Sequence, residues 1–418
     1  MKNYILKAVL VFLVTIPFFC MTCTKNPEVI LPKDPVPIDL NATQISLIES
    51  GNSFAFDIFR KILDNAGETE NIIISPLSIS YALSMTLNGA NGTTRDAMLE
   101  ALRVNGITPE EINNSYKDLT DALLSVDKRV LMNIANSVWT KNNFAVKEAF
   151  IKILEDYYGA ESKQFDIDDP TAPDKINAWI EKETNGLIKD MVEKLNDNTV
   201  MLLINAIYFK GKWKSQFDTD ETLQKPFYKP GGISVNVPMM RQTEDFKVYN
   251  GNGFILGEFP YGQGNFVMDI ILPDDVQNGI NSLLPSITDN SFTSWVSQLG
   301  SHEVNLSIPR FKYDYKKKLK EVLTAMGMGI AFTDAADFSN ITTPPPSLLI
   351  NDVTHQAFIE TNEEGTEAAA ATIVDIGLTS VGPQPVVFNA DHPFLYIIRE
   401  TTTNSIIFMG RVADPSAD

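Results

Sequence analysis

The chain has 418 residues, 44% of them hydrophobic, enough for one large domain or two ordinary ones with a substantial core. Its 34 Lys and Arg against 53 Asp and Glu leave a net charge of -19, which repels phosphate backbones and anionic lipid headgroups and argues against nucleic acid as a partner. Both cysteines, Cys20 and Cys23, lie near the start, so no disulfide framework holds the folded part.

The chain opens with basic Lys2 and Lys7 and an apolar run from Ala8 to Phe19. That pattern reads as an export signal, and the run is shorter than the ~18–20 residues of a membrane-spanning helix. A cysteine at the end of such a signal resembles a bacterial lipoprotein signal, where cleavage leaves the cysteine N-terminal and lipidated. Small Thr22 precedes Cys23 whereas bulky Phe19 precedes Cys20, so the expectation is removal of 1–22 and lipidation at Cys23. Plain secretion and an uncleaved anchor are the alternatives. Residues 23–45, with Pro27, Pro32, Pro35 and Pro37, read as an extended, stiff tether. The expected location is the cell envelope, on its periplasmic face or at the surface, or the secreted fraction, with membrane contact only through the lipid.

From residue 46 to 418 there is no second Pro- or Gly-rich linker and no repeat, which predicts one domain. "SFAFDIFRKIL" puts Phe54, Ile58 and Ile62 on one helical face, and "SISYALSMTLNGANG" reads as a buried helix ending at a glycine turn. "DPTAPDKINAWIEKETNGLI" is a further helix, opened by Pro173 and closed by Asn185 and Gly186. Strands follow: "TVMLLINAIYFKG", "FILGEFPY", "FVMDIILP", "EVNLSIPRFKYDY", "PVVFNADHPFLYIIRE" and "SIIFMGRV". Helices early and strands late predict α+β with antiparallel or mixed sheets, because a doubly wound fold alternates the two.

Catalytic motifs are missing: there is no G-x-S-x-G, H-E-x-x-H or G-x-x-x-x-G-K-[ST]. "GNGFILG" at 251–257 lacks phosphate-loop spacing and precedes a strand, so it reads as a turn. His302, His355 and His392 are far apart, and without a free cysteine neither a Cys/His nucleophile nor a Cys-containing zinc site can form. A Ser/His/Asp site assembled over long range stays open, without positive support. The basic run at 312–322 reads as a solvated face at a helix start ahead of a polyanion site.

"EEGTEAAAATIVDIGLTSVGPQP", 363–385, carries conflicting propensities. Alternate residues Thr366, Ala368, Ala370, Thr372, Val374, Ile376 and Leu378 are all small or apolar, while charged Glu367 and Asp375 fall on the other face. Such sorting suits a strand with one core face, yet Gly365, Gly377, Gly382 and Pro383 suit an exposed loop. An ordinary edge strand and a segment with two states, loop and inserted strand, both fit.

"EEGTEAAAAT" at 363–372 is similar to the hinge of inhibitory serpins, and "FNADHPFLYIIRE" with "FMGRV" resembles that family's C-terminal signature. "NIIISPLSISYALSMTLNGANGTT" and "LINAIYFKGKWKSQF" also match in order and spacing, so the resemblance spans about residues 50 to 413. It implies a serpin fold of three β-sheets with eight or nine helices and an exposed reactive loop at about 363–385. It also implies a suicide inhibitor of serine proteases, not an enzyme: a monomer needing no cofactor or metal, which partners its target as a covalent acyl complex. By the same resemblance Glu363, Glu364, Gly365, Thr366, Glu367, Ala368, Ala369, Ala370 and Ala371 form the hinge, and the bait bond is Thr379-Ser380, with Leu378-Thr379 its neighbour. Ser75, Asn205 and His355 match the shutter beneath the central sheet, Trp213 the breach where insertion begins, and His392 a structural position. No Lys or Arg lies in 363–385, which disfavours trypsin-like targets and favours elastase-, chymotrypsin- or subtilisin-like ones. The rival readings are a non-inhibitory serpin acting as carrier or chaperone, and a surface hydrolase or glycan-binding lipoprotein.

Overall fold

The structure, a computed structural model, describes residues 34–276, 278–342, 348–365 and 384–417. Cys23, Thr366 to Ala371 and the bait residues Leu378, Thr379 and Ser380 lie outside the described residues. In chain order the first half holds α1 (Ala42–Leu63), β1 (Ile72–Ile74), α2 (Pro76–Leu87), α3 (Gly92–Ala101), α4 (Pro109–Ser125), β2 (Val130–Lys141), α5 (Glu148–Tyr158), β3 (Glu161–Phe165), α6 (Ala172–Glu183) and β4 (Met201–Gly211). The second half holds β5 (Leu223–Tyr228), β6 (Ser234–Asn250), β7 (Phe254–Tyr261), β8 (Phe266–Pro273), α7 (Gly279–Leu283), α8 (Asp289–Val296), β9 (Gly300–Pro309), β10 (Phe311–Lys318), α9 (Lys320–Leu323), β11 (Thr354–Thr361), β12 (Val386–Asn389), β13 (Phe394–Glu400) and β14 (Ile406–Val412). Among the described residues this makes nine α-helices and three sheets, the expected α+β serpin fold.

The largest sheet runs β1-β14-β13-β8-β7-β6-β9-β12, with β5 beside β6. Every residue of β8, β13 and β14 is buried, which is why these strands read as nearly unbroken apolar runs. Against this core lies α1, with Phe54, Ile58 and Ile62 fully buried. Its start corrects the tether boundary: the helix begins at Ala42, ahead of residue 45, because Asn41 and Gln44 form a capping box. Next to it α2 is nearly all buried, entered through an N-cap at Ser75 with Pro76 in the first turn.

Two smaller sheets concern the site. One is β3-β2-β4, with β4 antiparallel to β2; the other is the antiparallel pair β10-β11. The basic run at 312–322 is mostly β10, and only its last three residues open the short helix α9. Its lysines face carboxylates across the pair and beyond: Lys312 meets Glu360 at 3.3 Å and Lys316 meets Glu193 at 2.7 Å.

Candidate functional site

β4 and β11 end at the same place. After Thr361 the chain reverses in a turn in which Asn362 N–H donates to Gly365 O (2.9 Å) and Gly365 N–H returns to Asn362 O (3.1 Å). Gly365 then bridges Lys212, just past the end of β4, in antiparallel fashion. It adopts φ +126°, and a Cβ there would meet the Gly211 carbonyl and stand 2.6 Å from both Lys212 Cα and Trp213 N. Only glycine fits this approach, for both conformation and space.

Trp213 seals the turn. Its N–H donates to Glu364 O (2.8 Å), its indole Nε1 to Asn362 O (2.9 Å), and its ring stacks on Tyr261 with centroids 4.4 Å apart and planes 10° from parallel. Phe217 packs against it edge-on, while the Phe217 N–H donates to Glu363 O (2.9 Å). The Glu363 carboxylate is buried and accepts from Arg310 Nε (2.7 Å) and from the Thr222 hydroxyl. Burial alone raises its pKa, but the bonds from Arg310 and Thr222 outweigh that and hold the carboxyl below its ordinary range.

Below this junction β4 has a hydrogen-bonded neighbour only in β2, and β11 only in β10, among the described residues. Among the described residues, each therefore presents an edge to which no further strand is paired. The turn at 362–365 has already pointed the chain back, antiparallel to both strands, at the upper end of those edges.

A family model described as Serpin (serine protease inhibitor) matches residues 49–415. The chain belongs to the serpin family. It is 32% identical over 409 residues to an uncharacterized serpin-like protein of Thermococcus kodakarensis, covering 94% of this chain and 93% of that one. Among solved structures it resembles tengpin, a thermophilic serpin in its native state, with TM-score 0.81 and 30% identity over 92% of this chain and 97% of that one. It also resembles human thyroxine-binding globulin in complex with thyroxine, with TM-score 0.82 and 27% identity over 90% of this chain and all of that one. Family membership carries protease inhibition, as opposed to catalysis, at the family level.

Of the three residues matched to the shutter, the serpin brings two into contact. Ser75 N–H donates to His355 Nε2 at 3.0 Å, and the Ser75 hydroxyl donates to Ile407 O at 2.8 Å. Burial holds the His355 pKa down to about 4, so the ring is neutral and its lone pair faces Ser75. Asn205 does not join them. Its Nδ2 donates to Asn136 Oδ1 (2.7 Å), Asn136 Nδ2 donates to Tyr158 O (2.7 Å), and Asn205 Oδ1 is buried with no hydrogen-bond partner among the described residues. The reason is topological: Asn205 is on β4 and His355 on β11, and among the described residues no ladder draws those strands together. His392 sits between the Asp391 carboxylate (2.8 Å) and Pro273 O (2.7 Å), in the loop between β12 and β13.

Arg310, Thr222, Tyr261 and Asn136 escape the sequence reading. Arg310 had one visible signal, a cation set between Pro309 and Phe311 that must find a carboxylate if it packs beside a buried strand. Nothing in the sequence ties it to Glu363, 53 residues away.

Proposed function

We propose that this serpin is an irreversible, suicide-type inhibitor of serine proteases whose cleaved loop inserts between β4 and β11. The observation that supports the reading most is that β4 and β11 end together at Gly365, which bridges Lys212 and Asn362, while among the described residues each strand keeps one edge without a ladder partner. A protease serine attacks the Thr379 carbonyl, and the bond to Ser380 breaks as the new amine leaves with a proton from the protease histidine. The acyl-enzyme is then carried along as residues 366–378 enter the sheet.

The strand geometry fits such a step. β4 has 11 residues, about 36 Å at ~3.3 Å each, and residues 366–378 span roughly 43 Å when extended. New ladder bonds at ~0.5–1.5 kcal/mol each, with ~1.5–3 kcal/mol for burying each of Val374, Ile376 and Leu378, amount to on the order of 10–20 kcal/mol before ordering entropy. Thr366, Ala368 and Ala370 enter at little steric or desolvation cost. The uncut form is then kinetically trapped above its lowest state.

The target class follows from the absence of any cation in 363–385: elastase-, chymotrypsin- or subtilisin-like enzymes. Lipidation at Cys23 tethers the inhibitor to the cell envelope as a monomer. The likeness to thyroxine-binding globulin favours a second reading, a carrier, and one gel separates the two. Incubated with elastase, chymotrypsin or subtilisin, an inhibitor gives a denaturant-resistant complex, whereas a carrier is merely cut. Mass analysis of the released peptide places the bond, and a cut outside 376–381 refutes the assigned register.

A further inference from the structure

The end of the tether is part of the domain. Pro35 and Pro37 flank Val36 and keep it extended, and both of its backbone groups meet one side chain. Val36 N–H donates to Asn265 Oδ1 (2.8 Å), and Val36 O accepts from Asn265 Nδ2 (2.8 Å). Two residues on, Ile38 N–H donates to Thr402 Oγ1 (3.1 Å), after which Asn41 caps α1. Asn265 is fully buried, and its other amide proton goes to Glu400 Oε1 (2.9 Å). Val36 thus occupies the acceptor and one of the two donors of an amide with no access to water, groups that are costly to leave unmet.

Asn265 closes the loop between β7 and β8, and the other end of that loop is the Trp213 junction. Gly262 N–H donates to Lys212 O (2.7 Å), Lys214 N–H donates to Pro260 O (2.8 Å), and Tyr261 is the ring stacked on Trp213. A second clamp acts on the same loop: Asp127, buried, accepts from Gln263 N–H (2.7 Å) and from Gln263 Nε2 (3.0 Å). The loop is held at Asn265 and at Gln263, and its position fixes the ring that covers Trp213.

We infer that residues 34–38 are a strap which, through Asn265, pins the 261–265 loop and so holds Trp213 over the 362–365 turn. The N-terminal segment is then a control element on release of the hinge. Its functional meaning rests on the proposed loop insertion, but the coupling itself does not.

The test is hydrogen exchange of the full chain, comparing Val36→Pro, which deletes the N–H while keeping an extended backbone, with Val36→Ala, which keeps both backbone bonds. Exchange in peptides covering 211–217 and 362–365 is expected to rise about 5–10-fold in Val36→Pro and to stay within about twofold in Val36→Ala, with α6 unchanged in both. Acceleration confined to 34–41 and 261–265 overturns the strap, as does an equal rise in α6 or equal behaviour of the two variants. Failure of the inhibitor reading is seen separately, as absence of a covalent complex on the gel while exchange still follows this pattern.

Discussion

Acid should loosen this fold through one imidazole. His355 receives the Ser75 N–H on Nε2, so a proton there would set N–H against N–H. It would also put a cation at the N-terminus of α2, the positive end of the helix dipole. Burial accordingly lowers its pKa from 6.5 to about 4. Because the folded value is depressed, the unfolded chain takes up the proton first as pH falls. Stability is full above the unfolded value of 6.5 and declines as pH drops toward 4. A gap of roughly 2.5 units makes the full effect about 3 kcal/mol, of which about 2.5 kcal/mol is expressed between pH 7.5 and 4.5. For roughly 380 folded residues that is a fall in Tm of about 3 °C. The assay is urea unfolding followed by tryptophan fluorescence, comparing the native chain with His355→Gln, which accepts the same bond and does not titrate. Carboxylates titrate alike in both and cancel in the difference. If both proteins lose the same stability between the two pH values, or if NMR places the His355 pKa near 6.5, the argument fails.

Other expectations concern the hinge. Gly365→Ala forces a side chain into the Gly211–Trp213 backbone at a positive φ, and should cost about 1–3 kcal/mol in urea unfolding; an unchanged midpoint would show that the turn relaxes freely. Arg310→Gln leaves the Glu363 carboxylate buried with Thr222 but no cation. Because Arg310 is partly exposed, the expected loss is about 1–3 kcal/mol, less than for a fully buried pair, and greatest above the Glu363 pKa, where the carboxylate is charged. Thr366→Arg must bury a charge during insertion, costing several kcal/mol or stalling it. That variant should be cleaved by elastase as a substrate, and covalent complex at the original stoichiometry would contradict the hinge assignment.

Periodicity alone made much of this molecule legible. The apolar faces of α1 and α2, the Asn185-Gly186 stop of α6 and the unbroken apolar strands β8, β13 and β14 all follow from local chemistry. Two boundaries misled for identifiable reasons. Asn41 and Gln44 make a capping box from residues less familiar in that role than Ser or Thr with Glu, so α1 begins inside the expected tether. The lysine-rich 312–318 segment alternates Phe311, Tyr313 and Tyr315 inward with lysines and Asp314 outward, a strand period that its charge density masks. At the site, Gly365 and Trp213 were nameable because each does its work through backbone or bulk. Arg310, Tyr261 and Asn136 act only through partners distant in sequence, which no local pattern encodes. Separation of Asn205 from the Ser75–His355 pair is likewise a property of strand pairing and not of residue type.

The most direct measurement is the melting temperature of the chain before and after a single cut in its bait loop. An inhibitor that works by strand insertion predicts a clear rise on nicking, of up to about 10–25 °C, because on the order of 10–20 kcal/mol before ordering entropy becomes available when the freed segment joins β4 and β11. Nicked and intact chains that melt together would mean that no such energy is stored, and would remove the basis for inhibition by this route.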